Sequence, residues 1–135
     1  MKKFKFLPPY KAAGKTNFPE TQRRAGVYII KEESKIVYIG MSGGNLYSTL
    51  YRHFEAWDHP GQEVTTYQSR LKRFKYMVRV VLCTPGQAAR LERYLIKKVK
   101  PRDNAVKYEN YKIDFLDTKI FEAYEDLTTI NEVPF

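Results

Sequence analysis

A carboxylate beside the apolar stripe of a helix is the first residue in this chain whose position asks for a chemical explanation. Glu92 stands one turn from Ala88 and from Leu95 and Ile96, in a segment whose apolar stripe is Ala88, Leu91, Leu95 and Val99. A carboxylate in such a place is costly to keep ionised unless it is paired or bound to a cation. On position alone two readings stay open: a metal ligand, or an ordinary helix-surface glutamate beside Arg93. Cys83 is the one cysteine of the 135 residues, which excludes an internal disulfide and a cysteine-rich zinc site. It closes the apolar run Met77–Cys83 and reads as a small core residue.

Charge points to a polyanionic ligand. The net charge is +9, and it is unevenly spread: residues 1–108 hold 22 Lys+Arg against 8 Asp+Glu, whereas residues 109–135 hold 2 against 7. A basic body with an acidic extension is the electrostatic footprint of a polyphosphate partner such as DNA. Residues 1–24 form a basic arm in which seven Lys and Arg are spaced among Phe4, Phe6, Pro8, Pro9 and Tyr10. It reads equally as a solvated terminus or as a strand or loop that meets phosphates, with Arg24 at its end. A second basic run, Arg70, Lys72, Arg73 and Lys75, lies in a segment without a long apolar stripe. No apolar stretch approaches the roughly 20 residues of a membrane span. Nothing resembles a signal peptide, so a reducing, cytoplasm-like compartment is expected.

The elements that must position these residues are legible in outline. At 43% hydrophobic and 15% aromatic, the composition is that of one folded domain, residues 1–135. Gly26–Ile30 and Ile36–Gly40 are β-branched and aromatic runs around a polar stretch, the pattern of a hairpin. Pairing centred on Glu33 sets Tyr28 opposite Tyr38, with both rings on one face. Val27 and Ile29 then share the other face with Ile39 and Val37. A turn ending in Asn45, a plausible N-cap, opens a helix from about Leu46 to Trp57, which His59–Pro60–Gly61 breaks. Residues 65–74 are expected to hold a second short helix, and Lys75–Cys83 a third strand. Thr84–Pro85–Gly86–Gln87 is a capping-box helix start. That helix runs to about Val99 and stops before Pro101. A further helix is expected near residues 114–124.

Two blocks of this pattern carry a family resemblance. Gly26–Val27–Tyr28, nine residues, and then Tyr38–Ile39–Gly40 resembles the paired motif that names the GIY-YIG nucleases. The second block runs from Leu91 to Asn104 and is similar to the family's helix and following turn, with Glu92 at its head and Pro101–Arg102–Asp103–Asn104 at its end. The resemblance is to the nuclease domain of the bacterial excision-repair incision subunit and to that of homing endonucleases, and it covers residues 26–105. It implies an α+β fold, a three-stranded antiparallel sheet flanked by helices, and a metal-dependent DNA endonuclease. Glu92 would hold one Mg²⁺ or Mn²⁺. Tyr28 and Tyr38 would order or deprotonate the attacking water, Gly40 would relieve the strand end, and Asn104 would serve structure or site. DNA is then the partner, no small-molecule cofactor is expected, and a monomer is favoured.

One departure bears on activity. The helix after Gly40 usually carries an arginine that steadies charge on the phosphate, and Thr49 stands in its place. Arg52 lies three residues on and reaches towards the same pocket. His53 matches a position where the family carries Tyr or His, and it reads either as base or orienter or as a packing histidine. Met41 stands where a lysine is common in repair-type members. These departures keep a second reading open: a DNA-binding module on a nuclease scaffold that has lost turnover. Folding of the acidic extension over the basic face is a third possibility.

Overall fold

The computed structural model describes residues 1–55 and 65–104. The expected end of the first helix at Trp57, its break at His59–Gly61, the helix near 114–124 and the acidic extension lie outside the described residues. Four strands form one antiparallel sheet: β1 (Lys2–Lys3), β2 (Gly26–Glu32), β3 (Lys35–Ser42) and β4 (Tyr76–Leu82), in the order β1-β4-β2-β3. The helices are α1 (Leu46–Tyr51) and α2 (Pro85–Val99), with 3₁₀ turns at Arg52–Phe54, Gln68–Arg70 and Arg102–Asn104. The sheet therefore has one strand more than the three expected. The arm supplies it: Lys2 pairs with Leu82, Phe4 N–H bonds Val80 C=O, and Leu7 bridges to Val78. Beyond Lys3 the arm leaves regular strand geometry, and Phe6 enters the core on one face of the sheet while Phe4 packs on the other.

β2 is buried along its whole length between β4 and β3, which suits its run of Val, Tyr and Ile. On one face of the sheet Val27, Ile29, Ile39 and Val81 meet Ala88, Leu91, Leu95 and Ile96 of α2. On the other, Tyr28, Ile30, Val80 and Leu82 meet Leu46, Leu50, Phe54, Tyr67 and Tyr76. The hairpin register differs from the one expected. Glu32 pairs with Lys35 around a Glu33–Ser34 turn, and Glu33 takes a left-handed φ of 54°. A bulge between Ile30 and Lys31 then shifts the ladder, so Tyr28 faces Gly40 and Tyr38 faces Ile30. The shift preserves side-chain parity above the bulge, and both tyrosines still share one face. It displaces Val37, which packs on the tyrosine face instead of beside Val27 and Ile29.

α1 is shorter than the hydrophobic spacing predicts. Asn45 caps it by accepting from Ser48 N–H. The helix tightens into the 3₁₀ turn at Arg52, where the carbonyl of His53 is taken instead by Tyr67 N–H at 2.6 Å and by the Thr66 hydroxyl. Residues 65–74 form turns around Gln68–Arg70 in place of the expected second helix, in keeping with the missing apolar stripe. α2 begins on the expected capping box, with Thr84 and Gln87 bonded reciprocally. It ends on Lys100 in the left-handed conformation ahead of Pro101.

Candidate active site

The tyrosine face of the hairpin brings Tyr28, Tyr38 and His53 together. Tyr28 is 1% exposed, and its hydroxyl lies 2.7 Å from Nε2 of His53. Tyr38 stacks on Tyr28 at 6.1 Å between ring centroids and lies 4.5 Å from the His53 ring. The geometry assigns the histidine tautomer. Nδ1 is 2.6 Å from the carbonyl oxygen of Thr65, which can only accept, so Nδ1 carries a proton. In the neutral ring Nε2 is then the acceptor, and Tyr28 donates to it. Burial holds the Tyr28 phenol well above its ordinary pKa; neighbouring Tyr38 and the Glu92 carboxylate raise it further, while the Arg52 guanidinium opposes them. These couplings put the Glu92 carboxylate and the Arg52 guanidinium within electrostatic range of the same hydroxyl.

Each of these side chains is set by its element. Tyr28 stands in the first half of β2, two residues from its start. Gly40, directly across on β3, leaves the room that the Tyr28 ring fills; a Cβ there would run into the ring and hydroxyl. Gly40 thus acts from mid-strand and not at a strand end. His53 and Arg52 come from the 3₁₀ turn that follows α1. Glu92 is buried on α2 among Ala88, Leu95 and Ile96. Asn104 lies apart from the chemistry: its side-chain Oδ1 accepts from Ile39 N–H at 2.7 Å and its Nδ2 donates to Ile39 C=O at 3.0 Å. It therefore holds the backbone between Tyr38 and Gly40. Thr49 turns its hydroxyl back to Asn45 C=O and brings no charge. Met41 packs on the α2 face, away from the tyrosines.

The basic residues divide. Arg70 is spent on structure: it donates to both oxygens of Glu32 and to the Tyr76 hydroxyl, and stacks over Phe74. Lys72 and Arg73 are exposed on the turns beyond it. Arg24 is exposed at the end of the arm, and its carbonyl accepts from Leu46 N–H at the start of α1. Motif reading missed Glu32, Tyr67 and Asp103. Glu32 accepts from Arg70, Arg102 and Tyr76, and Tyr67 donates to Asp103 at 2.7 Å. Parity along β2 is the available signal for Glu32, because residues 28, 30 and 32 share a face. Thr65 acts through a backbone carbonyl, which no side-chain pattern reveals.

The donor set suits a hard divalent cation. Among the described residues no three His, Cys, Asp or Glu side chains come together as a metal-binding group. Mg²⁺ is commonly held by one or two carboxylates with water and substrate phosphate completing its shell, and a single buried Glu92 matches that demand.

The profile of the GIY-YIG catalytic domain matches residues 24–109, and the chain belongs to the GIY-YIG family. It is 29% identical over 102 residues to UvrABC system protein C of Caldanaerobacter subterraneus subsp. tengcongensis. The match covers 75% of this chain and 16% of that protein, so the chain spans about a sixth of the relative's length. No solved structure matches the chain at comparable stringency. Among the described residues no helix is long and apolar enough to cross a membrane.

Proposed function

We propose that this protein is a divalent-metal-dependent DNA endonuclease that hydrolyses phosphodiester bonds. The observation that carries the reading is the Thr65–His53–Tyr28 chain of hydrogen bonds beside Glu92. Because burial disfavours the phenolate, Tyr28 works as a relay and not as a standing base. Water attacks phosphorus while passing a proton to the Tyr28 oxygen, and Tyr28 passes its own proton to Nε2 of His53. The P–O bond breaks with its electron pair on the leaving oxygen, which takes a proton from solvent, and the imidazolium left on His53 is oriented by the Thr65 carbonyl. Tyr38 packs against both rings and fixes their planes. Arg52 supplies positive charge for the phosphate in place of the arginine that Thr49 lacks. A Mg²⁺ or Mn²⁺ ion held by Glu92 would contribute Lewis-acid neutralisation of the phosphate when bound.

The test is a cleavage screen over duplex, nicked, flap and four-way DNA with Mg²⁺ or Mn²⁺. Wild type cuts at least one of these and Glu92→Ala cuts none. DNA left intact by both proteins, or cut equally by both, overturns the reading. Thr49, turned back on its own helix, favours a second reading in which the fold binds DNA without turnover. That reading predicts salt-sensitive binding with no cleavage in the same screen.

A further inference from the structure

The arm and the start of α1 border an open pocket of about 460 Å³ that the catalytic reading does not use. Thr16, Phe18, Gln22, Arg24 and Tyr47 line it. It is a built feature. Thr21 C=O accepts from Tyr47 N–H at 3.1 Å, and Arg24 C=O accepts from Leu46 N–H, so the arm is pinned to the helix. The Phe18 and Tyr47 rings meet edge-on at 5.7 Å, Tyr47 stacks on Tyr51 at 5.8 Å, and the Tyr47 hydroxyl is bonded to that of Thr16 at 3.0 Å. Glu20, also in the wall, pairs with Lys2 at 2.7 Å and lies within electrostatic range of Arg24, the cation among the lining residues. Behind them the Thr21 hydroxyl is buried with no hydrogen-bond partner among the described residues, a deficit that native folds rarely leave unexplained.

Aromatic faces, hydroxyl and amide groups and one guanidinium are the chemistry that receives a planar heteroaromatic ring attached to a phosphate. The volume falls in the range of small-ligand sites. Tyr47 lies six residues before His53, on the order of 10 Å along the helix at roughly 1.5 Å per residue. That separation corresponds to a few nucleotides of a bound strand, at about 3.4 Å of axial rise each. We propose that this pocket takes one unstacked nucleotide near the scissile phosphate, so that the preferred substrate is DNA carrying an unpaired residue and not continuous duplex. The inference rests on the nuclease reading for its DNA. An unpaired base costs least to place there, because it has already lost its partner.

Binding without cleavage separates the two. In EDTA, the full chain is titrated by anisotropy with a hairpin duplex carrying one extrahelical 2-aminopurine, and with the fully paired hairpin. The expected result is about tenfold tighter binding of the bulged DNA, with 2-aminopurine emission quenched on stacking. Tyr47→Ala should bring the ratio close to one. Arg24→Gln, an exposed change that leaves the backbone tether intact, should lower it severalfold even if Tyr47→Ala folds poorly. Equal affinity for the two DNAs, or a preference that survives both substitutions, overturns the proposal. Micromolar binding of free dAMP to the same side chains without a bulge preference assigns the pocket to a free nucleotide and also overturns it. Failure of the nuclease reading shows separately, as bulge preference without cleavage when metal is restored.

Discussion

The two ends of strand β2 carry polar clusters on the same face of the sheet, and they are built on opposite principles. At the far end Glu32 receives Arg70, Arg102 and Tyr76 at once, and Arg102 also holds Asp103. The protein itself provides the cations for this carboxylate, so the cluster is complete without any ligand. About 13 Å away, at roughly 3.3 Å per residue, Tyr28 and His53 share a hydrogen bond between neutral groups whose direction a backbone carbonyl sets. One cluster ties β2 to the turns around Arg70 and Arg102. The other holds a shared proton within electrostatic range of a carboxylate and a guanidinium. The difference teaches that the ionic cluster should govern stability and the neutral one turnover.

Substitutions can break that division. Glu92→Ala should lower metal-dependent cleavage by about three orders of magnitude, because Lewis-acid stabilisation is worth several kcal/mol. Thermal unfolding should change little; a large drop in Tm would move Glu92 to the structural class. Tyr28→Phe should cost about 100-fold in turnover through loss of the proton relay. His53→Asn should cost a similar amount, with binding of uncleaved DNA retained in both, as anisotropy would show. Glu32→Gln should do the reverse, lowering unfolding free energy by about 1–2 kcal/mol in urea titration, since charge-assisted hydrogen bonds from two partly exposed arginines are weakened. Its turnover below the melting transition should fall only a fewfold.

The ionic cluster also predicts a pH dependence. Burial pushes the Glu32 carboxyl up, but hydrogen bonds from Arg70, Arg102 and Tyr76 outweigh it and bring the pKa down to about 2 from 4.5. Asp103 is likewise lowered, by Arg102 and Tyr67 acting against burial. Folding therefore favours the ionised carboxylates, and their contribution is fully present above about pH 4.5. It is lost as pH falls towards about 2, and Glu32→Gln should flatten that limb of the stability curve. The smallest effect is expected at Gly40. Gly40→Ala presses the Tyr28 ring away from His53 and should cut turnover about tenfold, with a modest loss of stability.

Legibility in the sequence followed the range of each interaction. The capping box at Thr84–Gln87, the Asn45 cap and the stop at Pro101 are local chemistry, and each could be read from neighbouring residues. Tyr28 and Tyr38 stood out through the family's paired motif; Glu92 stood out beside an apolar stripe, a place that by itself fits an ordinary surface glutamate as well. The register could not be read, since a bulge is a tertiary adjustment that leaves no fixed residue signature. The arm was ambiguous for a related reason: Lys2–Lys3 becomes a strand only because β4 offers an edge. The end of α1 depended on Tyr67, 14 residues beyond His53, capturing a helix carbonyl. Arg70 looked like a phosphate contact by composition, and its commitment to Glu32, 38 residues earlier, is visible only in three dimensions.

Asn104 has a consequence for how molecules of this protein meet one another. β3 is the outer strand of the sheet, and an outer strand presents unsatisfied N–H and C=O groups to any passing chain. The Asn104 carboxamide occupies both groups of Ile39, acting as a one-residue imitation of the next strand. It interrupts the template at the middle of the edge, beside the tyrosines. Asn104→Ala should accordingly open that edge to a second copy, seen as concentration-dependent association in analytical ultracentrifugation. The amide that steadies the tyrosine hairpin thereby also guards the sheet against growing.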